Sequence, residues 1–144
     1  MPHDFKQFPE LTNSQMAMYY FDSPHKQITE NFEAEVVKVH DGDTITLRWD
    51  ERDFDFPLRL LNINAPELNE EGGEESQRWM EQRLLGKTIE VIINPSNRVD
   101  KYGRLLGDVF DGVDIGDEMI RDGMATPFDS RDEGEIPDVE TWQA

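Results

Sequence analysis

Cysteine is absent from the 144 residues, which excludes disulfide bridges and thiolate metal sites but leaves the redox compartment open. Histidine is scarce as well. His3, His25 and His40 stand far apart and lack the paired spacing of a zinc site. No stretch approaches the roughly 18 apolar residues of a membrane span, so no membrane partner is expected. The opening "MPHDFKQFPE" lacks both the basic and the apolar region of a secretory signal. The expected location is therefore cytoplasmic, or associated with a virion. Positive charge is also short, since 14 Lys and Arg face 32 Asp and Glu for a net charge of −18. Such a chain repels polyanions and has no broad basic face, so any phosphate chemistry must come from a few focused cations or a bound metal. The imbalance is spread along the chain: residues 33–128 hold 22 acidic and 11 basic residues, and residues 129–144 hold six and one.

What is present is a dense pattern of short apolar stretches between Glu33 and Phe128. "EVVKVH" and "DTITLRW", where Ile45, Leu47 and Trp49 alternate with polar partners, read as two half-buried strands joined at the Asp-Gly pair of positions 41 and 42. The polar "DERD" turns the chain into a third strand, "FDFPLRLLNI", in which Pro57 suggests an edge or a bulge. "GGEESQRWMEQRLLG" reads as a helix: Glu74 and Glu75 suit its N-terminal end, Trp79, Met80 and Leu84 share a face, and Gly86 ends it. Strands "TIEVIIN" and "LLGDVF" follow on either side of "PSNRVDKYGR", and "IGDEMIRDG" is a second, short helix. Five strands with a helix between the third and fourth fit a Greek-key barrel of the OB type, mainly β with helices.

The expected organisation is an N-terminal arm over residues 1–32, a barrel domain over 33–128 and an acidic tail over 129–144. The arm contains a short docking helix, with Thr12 or Asn13 as cap and Met16, Tyr19 and Tyr20 at helical spacing. The tail, interrupted by Pro137, cannot build a core of its own.

Three motifs could carry chemistry. "HDGDT" is, taken alone, first a hairpin turn. Its second reading makes Asp43 a hard oxygen ligand for calcium or magnesium, with Asp41 orienting metal-bound water. In "RLLNINAPE", Arg59 either caps a barrel edge in water or clamps two phosphoryl oxygens with a fork that lysine lacks. Glu67, just past Pro66, stands at a chain corner where a carboxylate can act as general base on an attacking water. "DKYGR" is a charged turn in the plain reading. In the other, Arg104 stabilises charge on a five-coordinate phosphorus while Tyr102 and Lys101 hold the substrate.

In this order and at these spacings the three motifs resemble the staphylococcal-nuclease, or thermonuclease, family over residues 33–128. The resemblance implies a five-stranded OB-fold barrel and calcium-dependent endonucleolytic cleavage of DNA and RNA to products ending in 3′-phosphates. It assigns catalysis to Arg59, Glu67 and Arg104, and Ca2+ to Asp43, Asn64 and the backbone carbonyl of Ala65 with Asp41 close by. The chain departs from the family pattern where it has Asn64 in place of the usual aspartate, in a short acidic loop "LNEEGGEES" where known members carry a longer basic one, and in a tail without a third helix. A different expectation is a nuclease fold recruited as an assembly module of a viral or phage particle, its arm and tail docking on protein partners. The intact set of two arginines around a carboxylate favours the enzyme.

Overall fold

Phe32, Ala34 and Val36 are buried while Glu33 and Glu35 between them are exposed, and this alternation builds β1 (Phe32–Asp41). The computed structural model describes residues 10–13, 27–100 and 102–128. Lys101, the acidic tail and the helix expected around Met16, Tyr19 and Tyr20 lie outside these residues. β1 shifts register against β2 (Thr44–Arg48) between Val36 and Lys38 and again between Val39 and Asp41. Such bulges bend a strand sharply. The bent β1 therefore pairs with two neighbours, with β5 (Thr88–Ile92) from Phe32 to Glu35 and with β2 from Glu35 to Asp41.

β3 (Phe56–Leu60) runs antiparallel to β2 and parallel to β6 (Leu105–Phe110), which returns antiparallel to β5. The five strands close a barrel in the order β1-β2-β3-β6-β5. This is the α+β, OB-type architecture expected from the strand and helix order. Val36, Ile45, Leu47, Leu58, Leu60, Val91, Leu105 and Val109 fill it. α1 (Gly73–Leu84) adds Met80 and Leu84, and α2 (Ile115–Arg121) adds Ile115 and Met119. Gly86, at φ 83°, ends α1 in a left-handed conformation that costs glycine little, as its position suggested. No helix among the described residues is long and apolar enough to cross a membrane.

Two local expectations are corrected. Pro57 does not mark a sheet edge, because β3 lies between two neighbours. Its missing N–H costs no ladder bond, since the β6 register begins only at Leu58. The third strand also stops early: Asn62 takes φ 67°, a left-handed bend that asparagine tolerates, and the chain resumes as β4 (Ile63–Asn64). The bend is held by Asn62 Nδ2 donating to Asp108 Oδ1 at 3.2 Å and by Phe128 N donating to Asn62 O at 2.8 Å. β4 then pairs with β7 (Thr126–Pro127) outside the barrel.

The expected boundary between residues 32 and 33 falls at the start of β1. Ile28 and Phe32 belong to the same apolar cluster as the barrel strands, and Glu10 is buried at 5% exposure. Part of the segment expected as an arm is thus packed onto the barrel.

Candidate active site

The β1–β2 hairpin turns at Gly42 and Asp43, one residue later than the Asp-Gly pair suggested. A Cβ on Gly42 would stand 2.8 Å from the Cβ atoms of both Ala65 and Ser76. Only glycine lets the hairpin tip lie against the β4 segment and α1. That close approach delivers Asp43 to its partners. Asp43 Oδ2 accepts from Ala65 N at 3.1 Å and from Arg59 Nη2 at 3.3 Å, and Asp43 Oδ1 accepts from Thr44 Oγ1 at 3.2 Å.

Arg59 reaches this point from β3, where it pairs with Thr44. Its guanidinium donates to Asn64 Oδ1 at 3.2 Å, to Ile63 O at 3.1 Å and to Leu60 O. Its guanidinium carbon lies 5.9 Å from the centre of the Phe128 ring. The Asn62 bend turns Ile63 O and Asn64 back toward β3. Asp43, Arg59, Asn64 and Ala65 thus form one hydrogen-bonded group, with Asp43 Oδ2 and Asn64 Oδ1 both converging on Arg59 Nη2.

A second group lines an open cleft of about 510 Å3. His40 and Asp41 from the hairpin form one wall, Glu67, Leu68 and Asn69 another, and Tyr102 and Arg104 a third. Glu67 sits in a closed corner, its N–H donating to Glu70 Oε1 at 2.8 Å while Glu70 N donates to Glu67 O at 2.9 Å. A Cβ on Gly73 would fall 1.8 Å from Glu67 O, so glycine is required for α1 to start against this corner. Among the described residues none hydrogen-bonds the exposed Glu67 carboxylate. Arg104 is aimed by Asp100, whose Oδ2 accepts from Arg104 Nε at 2.6 Å while Oδ1 accepts from the amides of Tyr102 and Arg104, both at 2.9 Å. Tyr102 is 65% exposed, with its ring centre 5.4 Å from the Arg104 guanidinium.

Thr44 joins the two groups. Its hydroxyl donates to Asp43 Oδ1 and accepts from Arg104 Nη1 at 3.4 Å. Asp41 stands on the cleft side of the same hairpin, its Oδ1 accepting from Asp43 N at 3.2 Å. Burial first, then the hydrogen bond and charge of Asp43, push the Asp41 carboxyl up to about 6. The structure therefore gathers Asp41, Glu67, Tyr102 and Arg104 on the cleft wall, and joins Asp43, Arg59, Asn64 and Ala65 in one hydrogen-bonded group at the hairpin tip. Arg59 does not line the cleft. Sequence reasoning missed Thr44 and Asp100 as positioning residues, although both lie inside motifs it singled out.

The family model described as staphylococcal nuclease homologue matches residues 57–144. The chain belongs to this family. An uncharacterized endonuclease of Escherichia coli O157:H7 is 38% identical over 96 residues, 65% of this chain and 60% of the relative. A probable endonuclease of Arthroderma otae is 32% identical over 91 residues, 55% of this chain and 31% of the relative. A probable staphylococcal-like nuclease of Oryza sativa subsp. japonica is 29% identical over 89 residues, 61% of this chain and 25% of the relative. The chain thus spans 60% of the length of its Escherichia coli relatives. The family match begins within β3 and includes Arg59, Asn64, Glu67 and Arg104, whereas Asp43 is tied to them by the geometry of the hairpin.

For a staphylococcal nuclease homologue, the donors around Asp43 suit a hard cation. They are oxygens of a carboxylate and a neutral amide, with the Asp41 carboxyl on the residue just before the turn. Among the described residues no three His, Asp or Glu side chains gather as a metal cluster. A divalent ion here would rest on neutral oxygens as much as on charge. Ala65 enters the group through its amide N–H.

Proposed function

We propose that this family member is a metal-dependent phosphodiesterase that cleaves nucleic acid internally. The observation that supports it best is the meeting of Glu67 and Arg104 on one cleft, whose wall is the hairpin holding Asp43 against Arg59 and Asn64. The endonuclease names of its relatives agree with an internal cut. A calcium ion held by Asp43, Asn64 and the Ala65 carbonyl, with Asp41 alongside, would supply Lewis-acid polarisation of a phosphoryl oxygen.

The chain's own residues supply the rest. Glu67, exposed at the cleft and with no hydrogen bond to its carboxylate among the described residues, accepts the proton of the attacking water. Arg104 is held by Asp100 in one orientation and offers its remaining N–H groups to the phosphoryl oxygens as negative charge grows on them. Arg59 contributes a positive charge at the hairpin tip and keeps the Asp43 and Asn64 oxygens together. Tyr102 presents an exposed ring beside Arg104, suited to stacking on a base or bonding a phosphate oxygen, and Lys101 adds a cation to the same loop.

The test is one set of incubations of the full chain with single-stranded DNA, duplex DNA and RNA, in calcium or in chelator. Cleavage is expected in calcium and none in chelator. Glu67→Gln and Arg104→Ala should each lower the rate by roughly 10²-fold or more with the fold intact, the scale of losing a general base or an oxyanion-type donor. Failure of the wild type to cleave any of the three in calcium, magnesium or manganese overturns the proposal, and so does near-normal turnover in both variants.

A further inference from the structure

Residues 10–13 lie far from the cleft in sequence but bond directly to the loop that carries Tyr102 and Arg104. Glu10 N donates to Gly103 O at 3.2 Å, and Asn13 Nδ2 donates to Pro95 O at 2.8 Å. Arg98, in the same loop, turns its guanidinium to this segment and donates to Leu11 O at 2.9 Å, Asn13 Oδ1 at 3.1 Å and Glu10 Oε2 at 3.1 Å. The loop is therefore tied at Pro95, Arg98 and Gly103. The segment is anchored in turn. Glu10 Oε2 accepts from Ile28 N at 2.6 Å, Glu10 Oε1 accepts from Arg52, and Arg98 Nε donates to Ile28 O at 2.8 Å. Ile28 is in the barrel's apolar cluster, and the side chains of Glu10, Arg52 and Arg98 are each 2% exposed.

We propose that residues 10–13 and Arg98 form a brace that fixes the loop of residues 94–104 against the barrel and so positions Arg104 and Tyr102 at the cleft. The argument turns on what else could do so. Asp100 orients Arg104 within the loop, but both belong to the loop, so their bonds do not set it relative to the barrel. The root of the loop is pinned where Leu106 N donates to Arg98 O at 2.8 Å and Val99 pairs with Leu105. Beyond that root, the described link from the loop to the hairpin is the 3.4 Å contact between Arg104 and Thr44, at the long end of hydrogen-bond range. The short, buried, charge-assisted bonds all lie on the brace side. A small shift of a group that must meet a phosphate has large effects on rate, so the brace is a positioning device for the cleft.

The activity side of this inference rests on the reading of the cleft given above, so its test has an arm independent of catalysis. Asn13→Ala removes two tethers at an exposed position and should leave the barrel folded, and Arg98→Lys keeps the charge but loses the fork. The amides of Glu10, Leu11 and Ile28 donate to Gly103 O, Gln27 Oε1 and Glu10 Oε2, so their bonds run through the brace itself and report it by hydrogen exchange. Both variants should speed their exchange by about tenfold while β1 and β5 amides keep their wild-type rates, the mark of local rather than global opening. On single-stranded DNA, kcat should fall several-fold in Asn13→Ala with KM little changed, and should hold in Arg83→Ala, whose partners are Asp111 and Glu118. Unchanged exchange at the three amides in both variants overturns the brace. Faster exchange with unchanged kcat overturns its positioning role. If the wild type does not cleave, the nuclease reading fails by itself and the exchange arm decides the brace alone.

Discussion

In the proposed calcium site, Asn64 brings a neutral oxygen where a carboxylate would bring charge. Its Oδ1 shares Arg59 Nη2 with Asp43 Oδ2, so the two oxygens already point to one place, but only one of them is charged. β4 pairs it with Thr126, whose hydroxyl donates to Asn64 O at 3.3 Å, so its backbone is fixed before any ion arrives. Charge count is a main control on calcium affinity, and sites with few carboxylates bind at about 10⁻⁴ to 10⁻³ M. Calcium binding to the wild type is expected in that range. Asn64→Asp should tighten it at least several-fold and raise activity at limiting metal, and the added carboxylate would still accept from Arg59. Calorimetric titration of both forms is the check: equal affinities would mean that Asn64 is not a ligand and serves only to hold Arg59.

The bend at Asn62 shows how one element boundary shapes both the site and the stability of the fold. It splits the third strand, carries Asn64 back toward β3 and bonds across to Asp108 on β6. Burial raises the Asp108 carboxyl above its ordinary value of 3.8, the charges of Asp114 and Asp117 add to this, and the Asn62 amide partly opposes it. A carboxyl raised on folding binds its proton more tightly in the folded chain, so its ionised form subtracts stability. That cost is full above the folded value and vanishes below the unfolded one. Asp108→Asn, which can still accept from Asn62, should therefore raise Tm at pH 7, with the gain closing as pH falls below about 4. An equal gain at both pH values would show that the effect is not the carboxylate's charge. Periodicity in the sequence exposed the barrel strands and both helices, because Ile45 with Leu47 and Met80 with Leu84 repeat at strand and helix spacing. It could not expose the Asn62 bend, which depends on a single residue tolerating a positive φ, nor the two-residue ladder of β4 and β7, which is too short to have a period. The site motifs were legible as residue types, but the bonds that group them were not: Arg59 with Asp43 and Asn64, and Arg104 with Asp100 and Thr44. The brace was hidden for another reason. Arg52 in "DERD", Arg98 and Glu10 look like solvated charges, and each is buried because it finds the others or a backbone carbonyl.

At the scale of the whole molecule, the proposed function asks a chain of net charge −18 to admit a polyanionic substrate. Asp41, Glu67 and Asp100 stand at or beside the cleft, and among the described residues the arginines near it are held by acceptors, Arg104 by Asp100 and Arg59 by Asp43 and Asn64. A nuclease with a basic face loses affinity steeply as salt rises, because binding releases counterions from the phosphates. Here the long-range term has the opposite sign. Repulsion between the acidic surface and the substrate is strongest at low ionic strength, and is screened within about 10 Å at ~0.1 M salt, whereas the short contacts made by Arg104 and Arg59 are screened far less. Activity is therefore expected to rise, or at least hold, as monovalent salt goes from ~0.01 to ~0.1 M at fixed calcium, with the change appearing in KM because encounter rather than chemistry is being relieved. Initial rates on a short single-stranded substrate across that range are the measurement. A steep, monotonic fall from the lowest salt onward would show that a local field of arginines and lysines, not the net charge, governs how the substrate reaches the cleft.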